Sequence, residues 1–534
     1  MQEFTRLVLC LHKHQPVGTP DAVIERAYRR CYEPFLAVVS EFPDVAWNLH
    51  ISGFLLEWLV ERRPEYIDRV RDLLAAGQVE LLGGPMYAPV MAGISRDDFA
   101  GQMRLHSGLL CRLFGERPRG MWTPERVWEP GFTRQVVDAG IEYTLLDDFH
   151  FRQSVAEKDT SAGYYLTEHD GRQLKLFRGH EQYRDQIARV APEQIVDSLR
   201  SEWDPRGRRV VSVGEDGEKF GMWPGSYEVV FEREWLRTFL RQIVANRAWL
   251  RAVKMNAVVD QVAPLGKCYL AASVPLLNSG LIAKTESNCD GARGETRLGQ
   301  SPADWSDWQR SLTAGTWRNA FLKYSESSAL YGRMVEVSRR LQQLDQTLES
   351  EKKTKRDVAD CLTAAYVHLY RGQAHAPYWH GAAAGIYLPH LRQAAYGNLI
   401  AADNCLERVS RTASKWVEAT VQDFDFDARQ EIRLSNDRLI GYLAPSRGGH
   451  LYELDVRSIE HNLAAGLNRR PELYHDRLAG SPESPAPVSA AEQCQVSEQS
   501  NEAESECVEH QDYDAWPRKN FVDHFLNSGL SLEE

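Results

Sequence analysis

The stretch Val210–Pro224, V-V-S-V-G-E-D-G-E-K-F-G-M-W-P, decides how the rest of the chain is read. Val210, Val211 and Val213 form a short β-branched run of the kind that fills a buried strand. The run stops at Gly214. Glu215, Asp216, Glu218 and Lys219 follow at once, with Phe220 and Trp223 behind them. Charge and aromatic surface gathered at the end of a buried strand suit a sugar-binding or hydrolytic site. A solvated, charge-rich strand-to-helix turn accounts for the same letters equally well, so the remainder of the chain has to separate the two.

Upstream, the pattern recurs at Leu7–Leu11, Val45–Leu49, Val79–Leu82, Gly120–Trp122, Tyr143–Leu146 and Leu174–Phe177. Amphipathic segments lie between these strands. Leu55, Trp58 and Leu59 share one helical face, as do Tyr66, Val70 and Leu73 after the break at Pro64. Near-continuous apolar strands belong to a parallel sheet covered on both faces. A series of β-α units predicts an α/β barrel or a doubly wound sheet.

The residues just after each strand favour the barrel. They are His12, His14 and Gln15, then His50, then Tyr87 behind a strand carrying Glu80. Trp122 and Glu125, then Asp147, Asp148 and His150, then Arg178 and His180, and finally Glu215 and Asp216 complete the series. A parallel barrel brings all these ends to one rim. A doubly wound sheet gathers only those beside its switch point.

Cys268–Ala272 reads as one more short strand, and residues 279–299, rich in Gly, Ser, Asn and Thr, as a loop. Leu330, Met334, Val337, Leu341 and Leu344 keep helical spacing, as do Val358, Cys361, Leu362, Ala365 and Leu369. The charged run Glu349–Arg356 between them reads as a solvated helix end. Beyond about Ser410 the pattern alternates, at Glu431–Leu434 and Leu451–Leu454, with Gly448-Gly449 as a turn, and a β module is expected. From Gly480 to Asp514 the chain is acidic and lacks Lys and Arg, the composition of a disordered linker or insert.

The whole chain has 534 residues, room for about three domains. A net charge of −12 and a pI near 5.8 argue against a nucleic-acid or anionic-membrane surface. No apolar run is long enough to span a bilayer, and the N-terminus does not resemble a signal peptide. Nine scattered cysteines without C-x-x-C spacing fit reduced thiols, so a cytoplasmic protein is expected. The sequence is compatible with a homo-oligomer.

Glu125 and Asp216 are the leading pair for chemistry. Glu125 lies in W-T-P-E-R-V-W-E-P, where Pro124 fixes the backbone and Trp122 and Trp128 offer faces on which sugar rings stack. Two carboxylates flanking a glycosidic bond perform its hydrolysis or transfer. Arg126 is an ion-pair candidate for either acid. His12 and His14, in H-K-H-Q-P, suit sugar contact. The competing role is ligation of a divalent metal with Asp147 or Asp148 and His150. Glu80 suits either sugar contact or a buried polar partner. His375, Tyr378, Trp379 and His380, in A-H-A-P-Y-W-H-G, suit a subsite closed by the helical region or a helix-packing cluster.

H-K-H-Q-P, G-Q-V-E-L-L-G-G-P-M-Y-A-P-V, W-T-P-E-R-V-W-E-P, G-E-D-G-E-K-F-G-M-W-P and A-H-A-P-Y-W-H-G resemble, in order, the five sequence regions of glycoside hydrolase family 57. The resemblance runs to about Arg477, and W-R-N-A-F-L-K-Y-S-E-S (Trp317–Ser327) is similar to that family's helical domain. The subgroup resembled is the 4-α-glucanotransferase/α-amylase type. It implies a seven-stranded incomplete TIM-like (β/α) barrel over 1–278, a helical domain over 279–410 and a C-terminal β-sandwich. The sandwich begins over 411–477, is interrupted by the acidic linker over 478–514, and resumes as a truncated remainder over 515–534.

The resemblance makes Glu125 the nucleophile and Asp216 the general acid/base of a retaining mechanism, with carboxyl groups about 5–5.5 Å apart. Arg126 or His14 is expected to keep Glu125 ionised, and the charges of Glu215 and Glu218 to keep a proton on Asp216. His12, His14, Glu80, Trp122, His150, Trp223, Trp379 and His380 are the expected substrate-binding residues. The substrate is an α-glucan or malto-oligosaccharide, and neither metal nor other cofactor is required. Departures from the pattern are His375, Ala376 and Pro377 in a region that usually reads C-N-D-A-Y-W-H-G. F-R-G-H-E-Q-Y-R-D also lacks a Phe-Pro start, and Ala-Ala-Ser-Val follows Leu270 in place of Pro-Thr-Ala-Ser-Tyr. They are expected to touch acceptor or outer subsites rather than the acid pair. Transfer is favoured over hydrolysis because the helical domain can keep water from the intermediate. A metal-dependent hydrolase and a non-catalytic glucan-binding protein are the alternatives.

Overall fold

Nine strands build the N-terminal sheet. They are β1 (Thr5–Lys13), β2 (Trp47–Ile51), β3 (Val79–Leu82), β4 (Gly120–Trp122), β5 (Tyr143–Asp147), β6 (Tyr164–His169), β7 (Arg172–Gly179), β8 (Val210–Asp216) and β9 (Leu250–Ala252). The computed structural model describes residues 4–151, 154, 162–204, 209–274, 316–351, 356–379, 385–470, 513–514 and 517–522. Seven parallel strands run in the order β3-β2-β1-β8-β7-β5-β4. Gly83 N–H donates to Gly120 O at 2.8 Å and Trp122 N–H to Gly83 O at 2.9 Å, joining β4 back to β3. The ring is thus nearly closed. The β7–β8 pairing is short as well, with Gly179 and Ser212 as its single register pair.

These strands are where the sequence puts them. Two details differ. β6, antiparallel to β7, was not foreseen. Cys268–Ala272 forms no strand; it lies between isolated bridges at Lys267 and Ser273.

The barrel strands are apolar on both faces because both are covered. Leu7, Leu9 and Leu11 of β1 pack in the layer under the helices, while Val8 and Cys10 point inward with Leu82, Trp122, Tyr143, Leu145, Phe177 and Val210. Gly214 makes room in this inner layer: a Cβ there would lie 2.7 Å from Leu145 Cδ2 and 3.2 Å from the Trp122 ring. The helix Met255–Gln261 plugs the N-terminal end of the barrel. Asn48 accepts the Met255 N–H and Glu80 the Asn256 N–H, each at 2.8 Å.

Three longer helices follow, Ser325–Glu351, Arg356–Gly372 and Pro389–Ser410. Leu330, Met334, Val337 and Leu341 are buried on the first, and Leu362, Ala365 and Leu369 on the second, as their spacing requires. Of the charged run Glu349–Arg356, the first three residues end the first helix and Arg356 begins the second, while 352–355 lie outside the described residues. The bundle is fastened to the barrel by Gln373, which donates to Asp98 and whose carbonyl oxygen accepts from Gln102, both at 2.8 Å, and by Arg371 on Glu57 at 2.9 Å. The barrel helix that supplies Asp98 and Gln102, Arg96–Phe114, is defined locally at both ends. Ser95 Oγ accepts the Asp98 N–H, and Gly115 takes the left-handed conformation at φ 78°.

The C-terminal region is an antiparallel meander of β10 (Val417–Gln422), β11 (Glu431–Asn436), β12 (Leu439–Ala444), β13 (His450–Val456) and β14 (His461–Asn462). The start of a sandwich was expected; the described residues form one five-stranded sheet resting on the helix Ser325–Glu351. Gly448 and Gly449, at φ 76° and 74°, make the turn into β13. Asn520 forms an isolated bridge with Leu451. The loop 279–299 and the acidic stretch to residue 512 lie outside the described residues. No helix among the described residues is long and apolar enough to cross a membrane.

Candidate active site

The C-terminal ends of β1, β2, β4, β5 and β8 supply one cluster of charged and imidazole side chains. Glu125 follows β4 in a tight turn. Pro124 fixes its start, and Glu125 and Arg126 both adopt φ 52°, the left-handed region that non-glycine residues avoid. Such conformations cost about 1–3 kcal/mol each and gather where a side chain must be aimed. Here Glu125 Oε1 lies 3.1 Å from His375 Nε2. His375 Nδ1–H in turn donates to Ala88 O at 2.7 Å.

Asp216 ends β8, half-exposed and in register with His12 on β1. Arg126 connects it to the turn that carries Glu125. Arg126 Nη2 is 3.7 Å from Asp216 and Nε 3.5 Å from Asp147, and the guanidinium stacks 4.9 Å above the Trp122 ring. Asp147 also receives Arg184 at 2.6 Å. Burial would raise the Asp147 carboxyl, but the two guanidinium groups hold it below the usual carboxylate range.

The expected electrostatics of the acid pair are corrected in two places. His375, rather than Arg126 or His14, is the group that meets Glu125. Glu215 is turned into the protein and paired with Lys219 at 2.6 Å, so Arg126 is the opposite charge facing Asp216. Glu218 accepts the His14 N–H at 2.9 Å and the Tyr32 O–H at 2.5 Å. Burial pushes its carboxyl up to about 7, with the Asp216 charge adding to the shift.

The histidines form the floor. His12 and His50 share a proton between their Nδ1 atoms at 2.7 Å, and His12 stacks on Trp122 with centroids 4.8 Å apart. The His14 ring lies 5.1 Å from that of His375, and neither of its nitrogens has a protein partner. Burial, then the His375 charge, hold His14 well below its ordinary value; burial does the same for His12. His150 Nδ1 meets Ser273 Oγ at 2.5 Å and its Nε2 has no protein partner; burial takes this ring down to about 4. A neutral imidazole presents one donor and one acceptor, which suits hydroxyl groups.

The other expected contacts divide. Trp223 is half-exposed on the rim with Lys219 Nζ 5.3 Å above its ring, and offers a sugar a face. Trp122 is 3 % exposed and already stacked with His12 and Arg126, so it supports the floor. Trp128 is buried as well. Trp379 is fully buried against Trp317 in the helical core, because the motif packs its indole inward, whereas His375 faces the mouth. Glu80 sits at the opposite end of the barrel, bonded to Tyr143 and the Asn256 N–H. His380 lies outside the described residues. His12, His14 and Asp147 do not converge as metal ligands, since Asp147 is taken by two arginines. Among the described residues, the one converging group of His, Cys, Asp or Glu is Asp423, Asp425 and Glu431, at the connection from β10 to β11. Sequence reading missed His375 as the neighbour of Glu125 and Arg184 as the partner of Asp147. Neither carries a local signal, because each contact is made only by folding.

Comparison with known proteins agrees with this architecture. The model of "Glycosyl hydrolase family 57" matches residues 2–271. The chain belongs to glycosyl hydrolase family 57. Two further models of the family's amylase type match it, "Alpha-amylase/4-alpha-glucanotransferase, middle domain" over 315–406 and the corresponding C-terminal model over 423–534. This family 57 chain is 33% identical to Alpha-amylase 1 of Dictyoglomus thermophilum, over 88% of its own length and 66% of that protein's. It is 31% identical to 4-alpha-glucanotransferase of Thermococcus litoralis, over 99% of its length and 76% of that protein's. The crystal structure of that glucanotransferase superposes with a TM-score of 0.77, covering 90% of this chain and 71% of the other. The family 57 chain therefore spans about two thirds to three quarters of the length of these relatives.

Proposed function

We propose that this chain is a retaining α-glucan-active enzyme, a 4-α-glucanotransferase that moves α-1,4-glucan segments through a glycosyl-enzyme intermediate on Glu125. The observation that carries this reading is the mouth of the barrel. Glu125 and Asp216 end two different strands, and Arg126 reaches from the turn of one to the carboxylate of the other. Neutral histidines with unpartnered nitrogens surround them.

A carboxylate oxygen of Glu125 attacks the anomeric carbon. The glycosidic oxygen leaves with the bonding electrons and takes a proton from Asp216. Asp216 then accepts the proton of an incoming hydroxyl, whose oxygen displaces Glu125. A glucan hydroxyl gives transfer and water gives hydrolysis. His14, His12 and His150 supply hydrogen bonds to sugar hydroxyls, and Trp223 an apolar face. The same reading puts the catalytic barrel at 1–278, the helical domain at 279–410 and the sheet region beyond, in a cytoplasmic protein. The described cysteines, Cys10, Cys31, Cys111, Cys268, Cys361 and Cys405, are free thiols.

α-Amylase activity is the second reading, since relatives at similar identity carry both names. Incubation with maltoheptaose under chelator separates the readings. A ladder of shorter and longer oligosaccharides, absent with Glu125→Gln, supports transfer. Shorter products alone mean hydrolysis, and loss of activity with chelator would return the metal-dependent alternative.

A further inference from the structure

His375 occupies the position at which the resembled fifth motif has Asn, and it is the side chain that meets Glu125. Its ring faces two acceptors. The Ala88 carbonyl has no proton to give, so Nδ1 donates to it at 2.7 Å. Nε2 then lies 3.1 Å from Glu125 Oε1. A neutral ring with its proton on Nδ1 would set a lone pair against the carboxylate. With Glu125 ionised, as its role as nucleophile requires, the contact is a hydrogen bond only with a second proton on Nε2.

Both acceptors are fixed by strained backbone: Ala88 at φ 50° and Glu125 at φ 52° are non-glycine residues in the left-handed region. The other groups around the ring do not compete for that proton. His14 of β1, 5.1 Å away, is held neutral by burial and by the His375 charge itself, and His12 behind it is likewise neutral. Arg126, on the Glu125 turn, is directed to Asp147 and Asp216.

We propose that His375 is a positioning residue that governs the breakdown of the glycosyl-enzyme. Its Nε2–H holds Oε1, leaves Oε2 to attack, and stabilises the carboxylate as it departs. This rests on Glu125 being the nucleophile. In the first step an Oε2 lone pair bonds to the anomeric carbon. The C–O bond to the leaving glucan breaks toward oxygen, and Asp216 gives that oxygen its proton. The His375 proton stays on Nε2, now facing the ester carbonyl oxygen. In the second step the acceptor oxygen bonds to the anomeric carbon and its proton goes to Asp216. The C–Oε2 electron pair returns to Glu125, where the recovered charge forms against Nε2–H. A charged donor binds a carboxylate more strongly than an ester, so it slows the first step and speeds the second.

The test uses the full chain with α-maltosyl fluoride as donor and maltotriose as acceptor, in native protein, Glu125→Gln, His375→Leu and His375→Gln. Acid-quenched samples are read by intact mass, and kcat and KM are measured in parallel. A maltosyl adduct is expected to accumulate in the order Leu, Gln, native. In His375→Leu, kcat should fall by about tenfold, the scale of one charge-assisted hydrogen bond, and KM should fall by more, so that kcat/KM holds or rises. His375→Gln, which keeps a neutral donor, should recover part of the loss, and it carries the test alone if the leucine variant does not fold. A fall in kcat/KM with no adduct and unaltered KM in the His375 variants overturns the proposal while leaving Glu125 as nucleophile. Turnover or adduct retained in Glu125→Gln overturns the nucleophile reading instead, and the proposal with it.

Discussion

Two regions of this molecule bury charge, and they do so in opposite ways. At the interface of the helix Ser325–Glu351 with the C-terminal sheet, buried arginines face buried carboxylates, with Glu453 and Asp455 side by side among them. Asp403 lies 3.4 Å from Arg333, 3.1 Å from Arg433 and 3.1 Å from Arg457, and it also pairs with Arg340. Burial would raise its carboxyl, but these four guanidinium groups hold it well below the usual range. Arg333 meets Glu453 at 3.1 Å, and burial leaves Glu453 holding a proton more readily than a free carboxyl does. At the barrel mouth, by contrast, ring nitrogens of His14, His50 and His150 have no protein partner, and backbone strain aims Glu125. Charge neutralised within the fold marks an interface that holds domains together. Polar groups left open, at an energetic cost, mark a surface built for something else to bind.

Substitutions can break or sharpen this contrast. The largest effect is expected from Glu125→Gln. It should lower kcat on the order of 10^4-fold or more, as removal of a nucleophile does, while the melting temperature stays close to native. Equal losses of activity and stability would erase the distinction. Asp403→Asn should do the reverse. It strands several buried arginines, at about 3–5 kcal/mol, so the melting temperature should drop by roughly 10 °C with activity per folded molecule retained.

Trp223→Ala should act on binding alone, raising KM about tenfold, the scale of one or two kcal/mol of lost ring stacking; an unchanged KM would remove Trp223 from the site. The smallest effect concerns pH. Glu218 titrates near 7 in the fold against an ordinary value of 4.5. The folded chain therefore retains a proton that the unfolded chain has released. That contribution is full below about 4.5 and lost as pH rises through about 7. Relative to native protein, Glu218→Gln should gain thermal stability between pH 5 and pH 8. Melting curves that stay parallel across that range would reject the shift.

Much of this was legible in advance. Barrel strands announce themselves because burial on both faces demands continuous β-branched and aliphatic runs, as in Val210–Val213. The ends of those strands announce the site, because a parallel barrel brings them to one rim. Glu125, Asp216, His12, His14 and His150 were read as rim residues by that rule, and Trp223 by its place just behind the last of these strands. Glu80 was misread, because strand position gives the face a side chain points to but not the depth at which it sits. Trp122 and Trp379 were misread because an indole beside a catalytic residue is as useful for packing as for stacking on sugar.

By itself, then, the sequence determined the seven parallel barrel strands, the helices that follow and the family, and it singled out the two acids proposed for the chemistry, since these depend on local periodicity and on contiguous motifs. Only the tertiary structure decided which charge meets which. His375 on Glu125, Arg184 and Arg126 on Asp147, and Lys219 on Glu215 are set by where packed elements cross. Electrostatic partners within a few ångströms can lie hundreds of residues apart in the chain, as Glu125 and His375 do. The packing of the helical region against the barrel puts them in contact.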